Sequence, residues 1–211
     1  RGGWRKKTIG KKDLVVSTYK IQDEKLADNG IKYEVKAKIQ GIRVRDLVDK
    51  RKVGGKIEVS WKYVEANNKW KWDGEDSFKI GQICQQLHRC GLYHMDLKPG
   101  NILWDNNGEI AAVIDFDECQ DEKILMLDDT ANTLSWVLVS GGSDKRFIDG
   151  YKSEGIEINE NDIRKKLLEY LTMRQNEGSP TAWIELAKKR LEGYRQEVKS
   201  KQLKKNELAE Y

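Results

Sequence analysis

Residues 93–104 read YHMDLKPGNILW, and what this stretch means decides the fold. His94, Asp96, Lys98 and Asn101 fall within eight positions, beside a Pro-Gly pair and ahead of an apolar run. Alone, such a stretch is either a polar turn before a strand or a phosphate-transfer site. The segment that follows separates the two. NILW (101–104) and EIAAVIDF (109–116) read as apolar strands joined by Asp105-Asn106-Asn107-Gly108, and an Asn-Gly step between such runs signals a hairpin. A hairpin folds its ends together, so Asn101 is expected beside Asp115. Amide and carboxylate oxygens are hard ligands that suit Mg²⁺ rather than zinc or copper. Asp96 is placed to accept a proton from an incoming hydroxyl, and Lys98 to neutralise a transferring phosphoryl group. Phosphoryl transfer needs little beyond an in-line hydroxyl, an orienting carboxylate and cations on the phosphate oxygens.

Working outward, Ser77 is expected to cap a helix whose apolar residues Ile80, Ile83, Cys84 and Leu87 recur at helical spacing, with Gly91 ending it. His88, on this helix, reads as a packed residue. Downstream the pattern is helical: LDDTANTLSWVLVSGG, NENDIRKKLLEYLTMRQ, and SPTAWIELAKKRLEGY with Ser179 and Pro180 at its start. Upstream, DLVVSTYKI and IKYEVKAKI read as two strands of a hairpin turned at Asn29-Gly30. Residues 51–75 are rich in Gly, Lys and Trp and show neither period. Strands first and helices after give an α+β layout, divided here into residues 1–45 and 46–211.

The chain has 211 residues, 39 of them basic and 35 acidic, so its net charge of +4 reflects a mixed surface. That is no strong signal for nucleic acid. Trp61, Trp70 and Trp72 with interleaved lysines could stack on bases, but a packing surface suits them better. No run approaches the roughly 18 apolar residues of a membrane span. Cys84, Cys90 and Cys119 are odd in number with no CxxC spacing, which suits reduced thiols and a cytoplasmic setting.

HMDLKPGNIL followed by IDFD resembles the catalytic loop and metal-binding motif of the protein kinase-like fold. Leu87-His88 and Gly91-Leu92 resemble the approach to that loop. DFD stands where eukaryotic protein kinases have DFG, and nothing downstream resembles their A-P-E segment. LHRCGLYHMDLKPGNILWDNNGEIAAVIDFDEC is closer to the small-molecule and sugar kinases. It looks most like the lipopolysaccharide (Kdo/heptose) kinases, with aminoglycoside phosphotransferases and choline kinases next. The resemblance implies ATP and Mg²⁺ as cofactors and a reduced or truncated β-rich front lobe on a mainly helical rear lobe. It implies Asp96 as catalytic base, Asn101 and Asp115 as metal ligands, His94 as the residue holding the loop, and Asp129 as an anchor for it. Asp117 would be a further metal ligand or a loop-ordering carboxylate. Ile39-Gln40-Gly41-Ile42 would form the hinge whose backbone bonds the adenine. The acceptor would be a small molecule or sugar, with peripheral membrane contact where that sugar is lipid-linked.

A kinase-like enzyme also needs a glycine-rich loop and a strand lysine paired to a helix glutamate. Neither is evident; Lys38, in VKAK (35–38), sits too close to Gly41 to serve. The chain opens on Arg1 rather than Met. The expectation is a longer parent enzyme carrying these parts upstream. The alternative is a naturally reduced front lobe in a catalytically weak or inactive binding module.

Overall fold

A computed structural model describes residues 9–11, 13–153, 155 and 158–192. The front part is a four-stranded antiparallel sheet, order β1-β2-β4-β3, formed by β1 (Ile9–Lys11), β2 (Leu14–Lys20), β3 (Leu47–Val53) and β4 (Lys56–Lys62). Helix α1 (Glu24–Ile39) connects β2 to β3 and covers one face. β5 (Asn67–Asn68), β6 (Ile102–Trp104) and β7 (Ile110–Val113) make a second, three-stranded sheet. Helices α2 (Gly74–Arg89), α3 (Met126–Val139), α4 (Asp144–Lys152) and α5 (Glu160–Asn176) build the rear part, and residues 181–192 are also helical. The layout is the expected α+β one.

The front part departs from the sequence reading. Residues 24–39 are one helix, not a turn and a strand. Ile31, Tyr33, Val35, Ala37 and Ile39 alternate as strand residues do. Yet Val35 is 40% and Ile39 77% exposed, while Ala27, Gly30, Tyr33, Glu34 and Ala37 are buried. The helical stripe went unseen because it is built from small residues and one glutamate. Gly30 is no turn residue: it lets α1 approach Asp117, whose Oδ1 would lie 2.3 Å from an added Cβ. The hairpin turn of this sheet is Gly54-Gly55 between β3 and β4, with φ of +55° and +73°. Paired left-handed residues are what a tight two-residue hairpin requires.

Two boundaries shift as a result. The division at residue 45 cuts between α1 and two strands of the same sheet, so the front part runs to Lys62. Ile39-Gln40-Gly41-Ile42 is not a connection between lobes but the end of α1. The Gln40 N–H bonds Ala37 O, the Gly41 N–H bonds Lys38 O, Gly41 has φ +83°, and the Ile42 N–H returns to Ala37 O. The chain instead passes from front to rear through residues 63–73. The tryptophans likewise do not form one surface. Trp61 is buried in the front core and Trp72 in the rear, and Trp70 is 66% exposed over Gly100.

The rear core is continuous, running from Ile80, Cys84 and Leu87 through Leu97, Ile102 and Phe116 to Leu134, Phe147, Tyr151 and Leu167. α2 and α4 meet at reciprocal glycines: a Cβ on Gly81 would lie 2.1 Å from Phe147 O, and one on Gly150 2.0 Å from Phe78 O. The cap of α2 is Asp73 rather than Ser77. Asp73 accepts from the N–H groups of Glu75 and Asp76, and Asp76 returns the bond to the Asp73 N–H, a capping box. Ser77 is buried one turn further on, where it donates to Asp73 O and accepts from the Ser143 N–H.

Candidate active site

The loop between α2 and β6 is held from below. The Asp129 carboxylate, on the first turn of α3, accepts from the N–H groups of His94 (2.9 Å) and Met95 (2.7 Å) and from His88 Nε2 (2.9 Å). His88 Nδ1 meets the Tyr151 hydroxyl at 2.6 Å. These groups are buried, so the network fixes a loop that carries strain: Met95 has φ +64°. Asn132 Nδ2 adds a bond to Met95 O, and the Tyr170 hydroxyl donates to Asn132 Oδ1 at 3.0 Å. Cys84, His88 and Asp129 lie close enough together to suggest a metal cluster. Burial, then the Asp129 charge, hold the Cys84 thiol well above its usual range.

Above this base the residues singled out from the sequence converge. Asn101 Nδ2 donates to Asp96 O (2.8 Å) and Asp96 Oδ2 (3.0 Å), and Lys98 Nζ pairs with the same carboxylate oxygen. With Nδ2 committed to Asp96, the oxygen Oδ1 is the atom Asn101 can offer a cation. β6 and β7 pair as a hairpin with Ile102 opposite Val113, and the Ile114 N–H bonds Asn101 O at 3.0 Å. Asp115 follows directly, in a left-handed conformation with φ +70°. His94 is buried, donates through Nε2 to Ile114 O (3.1 Å) and packs on Phe116 with ring centroids 4.7 Å apart. It ties the loop to the hairpin and does not face the cleft. The donor set fits a hard divalent cation: amide and carboxylate oxygens, with no sulfur or imidazole among them. Asp96, Lys98 and Asn101 are thus in mutual contact, and Asp115 is delivered to their side of the hairpin; Ile39 to Ile42 are not part of this arrangement.

The sequence singles out Asp117 as a site residue, but not its partners Tyr19 and Asn29. Asp117 accepts from the Tyr19 hydroxyl at 3.1 Å, and Asn29 Nδ2 donates to Asp117 O (2.8 Å) and Cys119 O (3.0 Å). Burial, then the charge and hydrogen bond of Asp117, push the Tyr19 phenol far above its usual range, so it remains a donor. Burial pushes the Cys119 thiol up to about 12. Glu118 is raised by burial and then by the Asp96 carboxylate. Reading 24–39 as a helix would have put Asn29, Gly30 and Tyr33 on one side and shown part of this set.

A cleft of about 990 Å³ opens between α1, the Asp117–Glu122 segment, α3 and α5, with Asp96 and Lys98 at one wall. Trp136, Tyr170, Arg174 and Lys25 also line it. Trp136 is stacked on Trp183 at 6.0 Å, which stiffens that wall.

Among the described residues of the front part, the inner face of β2 carries no cation. Register puts Val15, Ser17 and Tyr19 of β2 opposite Trp61, Val59 and Ile57 of β4, on the face covered by α1. No lysine is among them. Glu34, the buried acid of α1, is paired bidentately with Arg45 through Nε (2.9 Å) and an Nη nitrogen (3.0 Å), and that guanidinium lies 4.5 Å over the Trp61 ring. Lys38 forms an exposed pair with Asp46.

Known proteins resemble this chain in a stretch of sequence and in fold. Residues 60–129, about a third of the chain, match the model of the lipopolysaccharide kinase (Kdo/WaaP) family. No curated protein matches by sequence. Among solved structures, an aminoglycoside-3'-phosphotransferase of type VIII aligns with TM-score 0.57 and 16% identity, over 74% of this chain and 84% of that one. The bifunctional kinase-methyltransferase WbdD aligns with TM-score 0.57 and 10% identity over 78% of this chain. WbdD bound to a kinase inhibitor, LY294002, aligns with TM-score 0.54 and 10% identity over 89%. The alignments span 47% and 49% of those two WbdD chains. The fold is therefore the protein kinase-like one of these solved structures, and residues 60–129 resemble the Kdo/WaaP lipopolysaccharide kinase family model.

Proposed function

We propose that the protein is an ATP- and Mg²⁺-dependent phosphotransferase acting on a hydroxyl of a small-molecule or sugar acceptor of the lipopolysaccharide type. The observation that carries this reading is the convergence of Lys98 and Asn101 on Asp96, with Asp96 and Lys98 at one wall of an open cleft and Asp115 following the Asn101–Ile114 bond.

Asp96 orients the acceptor hydroxyl and takes its proton. Its Oδ2 is already engaged by Lys98 and Asn101, which leaves Oδ1 for the acceptor. Lys98 is free to swing from Asp96 towards the transferring phosphoryl group, because its side chain is partly exposed. Asn101 Oδ1 and the Asp115 carboxylate would hold Mg²⁺, which when bound neutralises charge on the nucleotide phosphates. The cleft's aromatic wall of Trp136 and Tyr170 suits a sugar ring, and Arg174 and Lys25 suit anionic groups upon it. Where such a sugar is lipid-linked, contact with a membrane surface would be peripheral; among the described residues no helix is long and apolar enough to cross a membrane.

Asp115→Ala tests the reading. Phosphate transfer from ATP and Mg²⁺-nucleotide binding are both expected to fall by at least about a hundredfold, the order seen when a key charge-stabilising group is removed. Unchanged transfer would refute the assignment. The absence of a cation on the described inner face of β2 favours a second reading, a kinase-like binding module. A melting temperature that Mg²⁺ and ATP leave unmoved, together with no transfer, would select the module.

A further inference from the structure

We propose that Asp117 is a positioning residue and not a metal ligand: with Tyr19, Asn29 and Gly30 it forms a clasp through which β2 and α1 set the geometry of Asp115. The proposal rests on the phosphotransfer reading in one respect, that Asp115 is the carboxylate to be positioned.

Asp115 sits at φ +70° and ψ +56°, a region that costs a residue with a Cβ free energy and persists only where its surroundings fix it. It is therefore held from both sides. On the upstream side, the Ile114 N–H bonds Asn101 O and Ile114 O accepts from His94. On the downstream side, buried Phe116 packs on His94, and the front part adds three hydrogen bonds. Tyr19 donates to the Asp117 side chain, while Asn29 donates to Asp117 O and to Cys119 O. Gly30 leaves the space in which Asp117 Oδ1 lies, where an added Cβ would be 2.3 Å away. A side chain directed at β2 and α1 by these partners is turned to hold the front and rear parts together.

The same contacts supply what the described front part otherwise lacks. In kinase-like enzymes a strand lysine paired with a helix glutamate links the sheet and helix to the phosphate site. Here Glu34 is bound by Arg45, and the inner face of β2 presents Val15, Ser17 and Tyr19. Tyr19 reaches from that face to the metal loop, so the coupling of front to rear runs through a phenol and a carboxylate.

Two measurements test the clasp. Mn²⁺ binding in the presence of ATP, followed by electron spin resonance of the free ion, reads the positioning of Asp115. Tyr19→Phe is expected to weaken it about fivefold to tenfold, the scale of one lost hydrogen bond, with the ligand-free melting temperature nearly unchanged, and Asn29→Ala, which loses two, by at least as much. Asp117→Asn, which can still accept from Tyr19, should stay within about threefold of wild type, whereas Asp115→Asn should lose binding. Hydrogen exchange of amides 114–119 reads the clasp without any ligand, and Tyr19→Phe should speed it. A Tyr19→Phe protein with wild-type exchange over 114–119 overturns the proposal. So does an Asp117→Asn protein that loses Mn²⁺ as completely as Asp115→Asn. A wild-type protein that binds no Mn²⁺ with ATP would refute the phosphotransfer reading instead, and the exchange result would then decide the clasp alone.

Discussion

The front and rear parts of the molecule are held together by different kinds of force. The rear has one large apolar core, running from α2 through the β6–β7 hairpin to α5, with a buried polar network built around Asp129. The described front has a small core of its own, Tyr19, Ala27, Ile57, Val59 and Trp61, while Tyr33 and Ala37 of α1 reach into the large one, and it adds charged contacts: Glu34 with Arg45, and Lys50 and Lys52 with Glu24 and Asp28. Exposed pairs such as those of Lys50 and Lys52 contribute little each. The buried Glu34–Arg45 pair is another matter, because removing either partner leaves an uncompensated charge in the interior. Apolar packing tolerates exchange of one hydrophobic residue for another, whereas a buried ion pair does not readily tolerate the loss of half of it. The front should therefore yield to a single charge removal and the rear to a single steric insertion.

The largest effect is expected from breaking the front. Arg45→Met should destabilise it by about 3–5 kcal/mol, since Glu34 is 1% exposed and has no route to solvent. Hydrogen exchange in β2, β3 and β4 should speed first, while α2 and α3 amides keep their protection. Replacing both partners, Glu34→Leu with Arg45→Met, should recover most of the loss, because an apolar pair can fill the site without charge. Were the double variant as unstable as the single one, the pair would contribute through geometry that apolar residues cannot reproduce. The contrast between the two parts would then be one of shape and not of charge.

The same contrast explains what the sequence made legible. The rear could be read because its chemistry is local. His94 to Asn101 and Ile114 to Asp117 are two short runs joined by a hairpin whose turn announces itself, and the helices that follow keep apolar residues such as Ile163, Leu167 and Leu171 at helical spacing. The front could not, because its signals compete. Asn29-Gly30 looks like a hairpin turn, yet the glycine is there for the approach to Asp117. Val35 and Ile39 look like strand residues because they are β-branched, yet both are exposed on a helix held down by Ala27, Tyr33 and Glu34. Gly54-Gly55, the actual turn, lies between strands whose outer faces are so charged that β3 shows little alternation. Of the candidate site, the residues supplied by the loop and hairpin were readable. Tyr19, Asn29, Trp136 and Tyr170 were not, because they reach the site only through tertiary packing.

On the rear side the sensitive point is the crossing of α2 and α4. Gly150→Ala places a Cβ 2.0 Å from Phe78 O, and that atom is backbone, so the helices must separate. Overpacking of this kind costs about 1–3 kcal/mol. Thermal unfolding should show the loss, and Gly81→Ala, which meets Phe147 O from the other helix, should show a similar one. Because each glycine is opposed by the partner helix's backbone, no change of side chain elsewhere should restore stability. That distinguishes this site from the Glu34–Arg45 pair, where a second substitution is expected to help.

The smallest effect lies where the two parts join, at the cap of α2. Asp73 accepts from the N–H groups of Glu75 and Asp76, and a cap of this type is worth about 1 kcal/mol. The bond from the Asp76 N–H is the main cause that holds the Asp73 carboxyl below its ordinary value. A depressed folded value means that the unfolded chain binds the proton more readily, so the charged cap stabilises fully above the unfolded carboxyl range near about pH 4. That contribution is lost as pH falls through the lower folded value. Asp73→Ala should therefore melt below wild type at pH 6, with the gap closing in more acid solution. Asp73→Asn keeps a capping oxygen and removes the titrating group, so its difference from Asp73→Ala should hold across the same range. A gap between wild type and Asp73→Ala that stayed constant through the acid range would show that the cap acts through its oxygen alone. The charge of Asp73 would then contribute nothing to the join between front and rear.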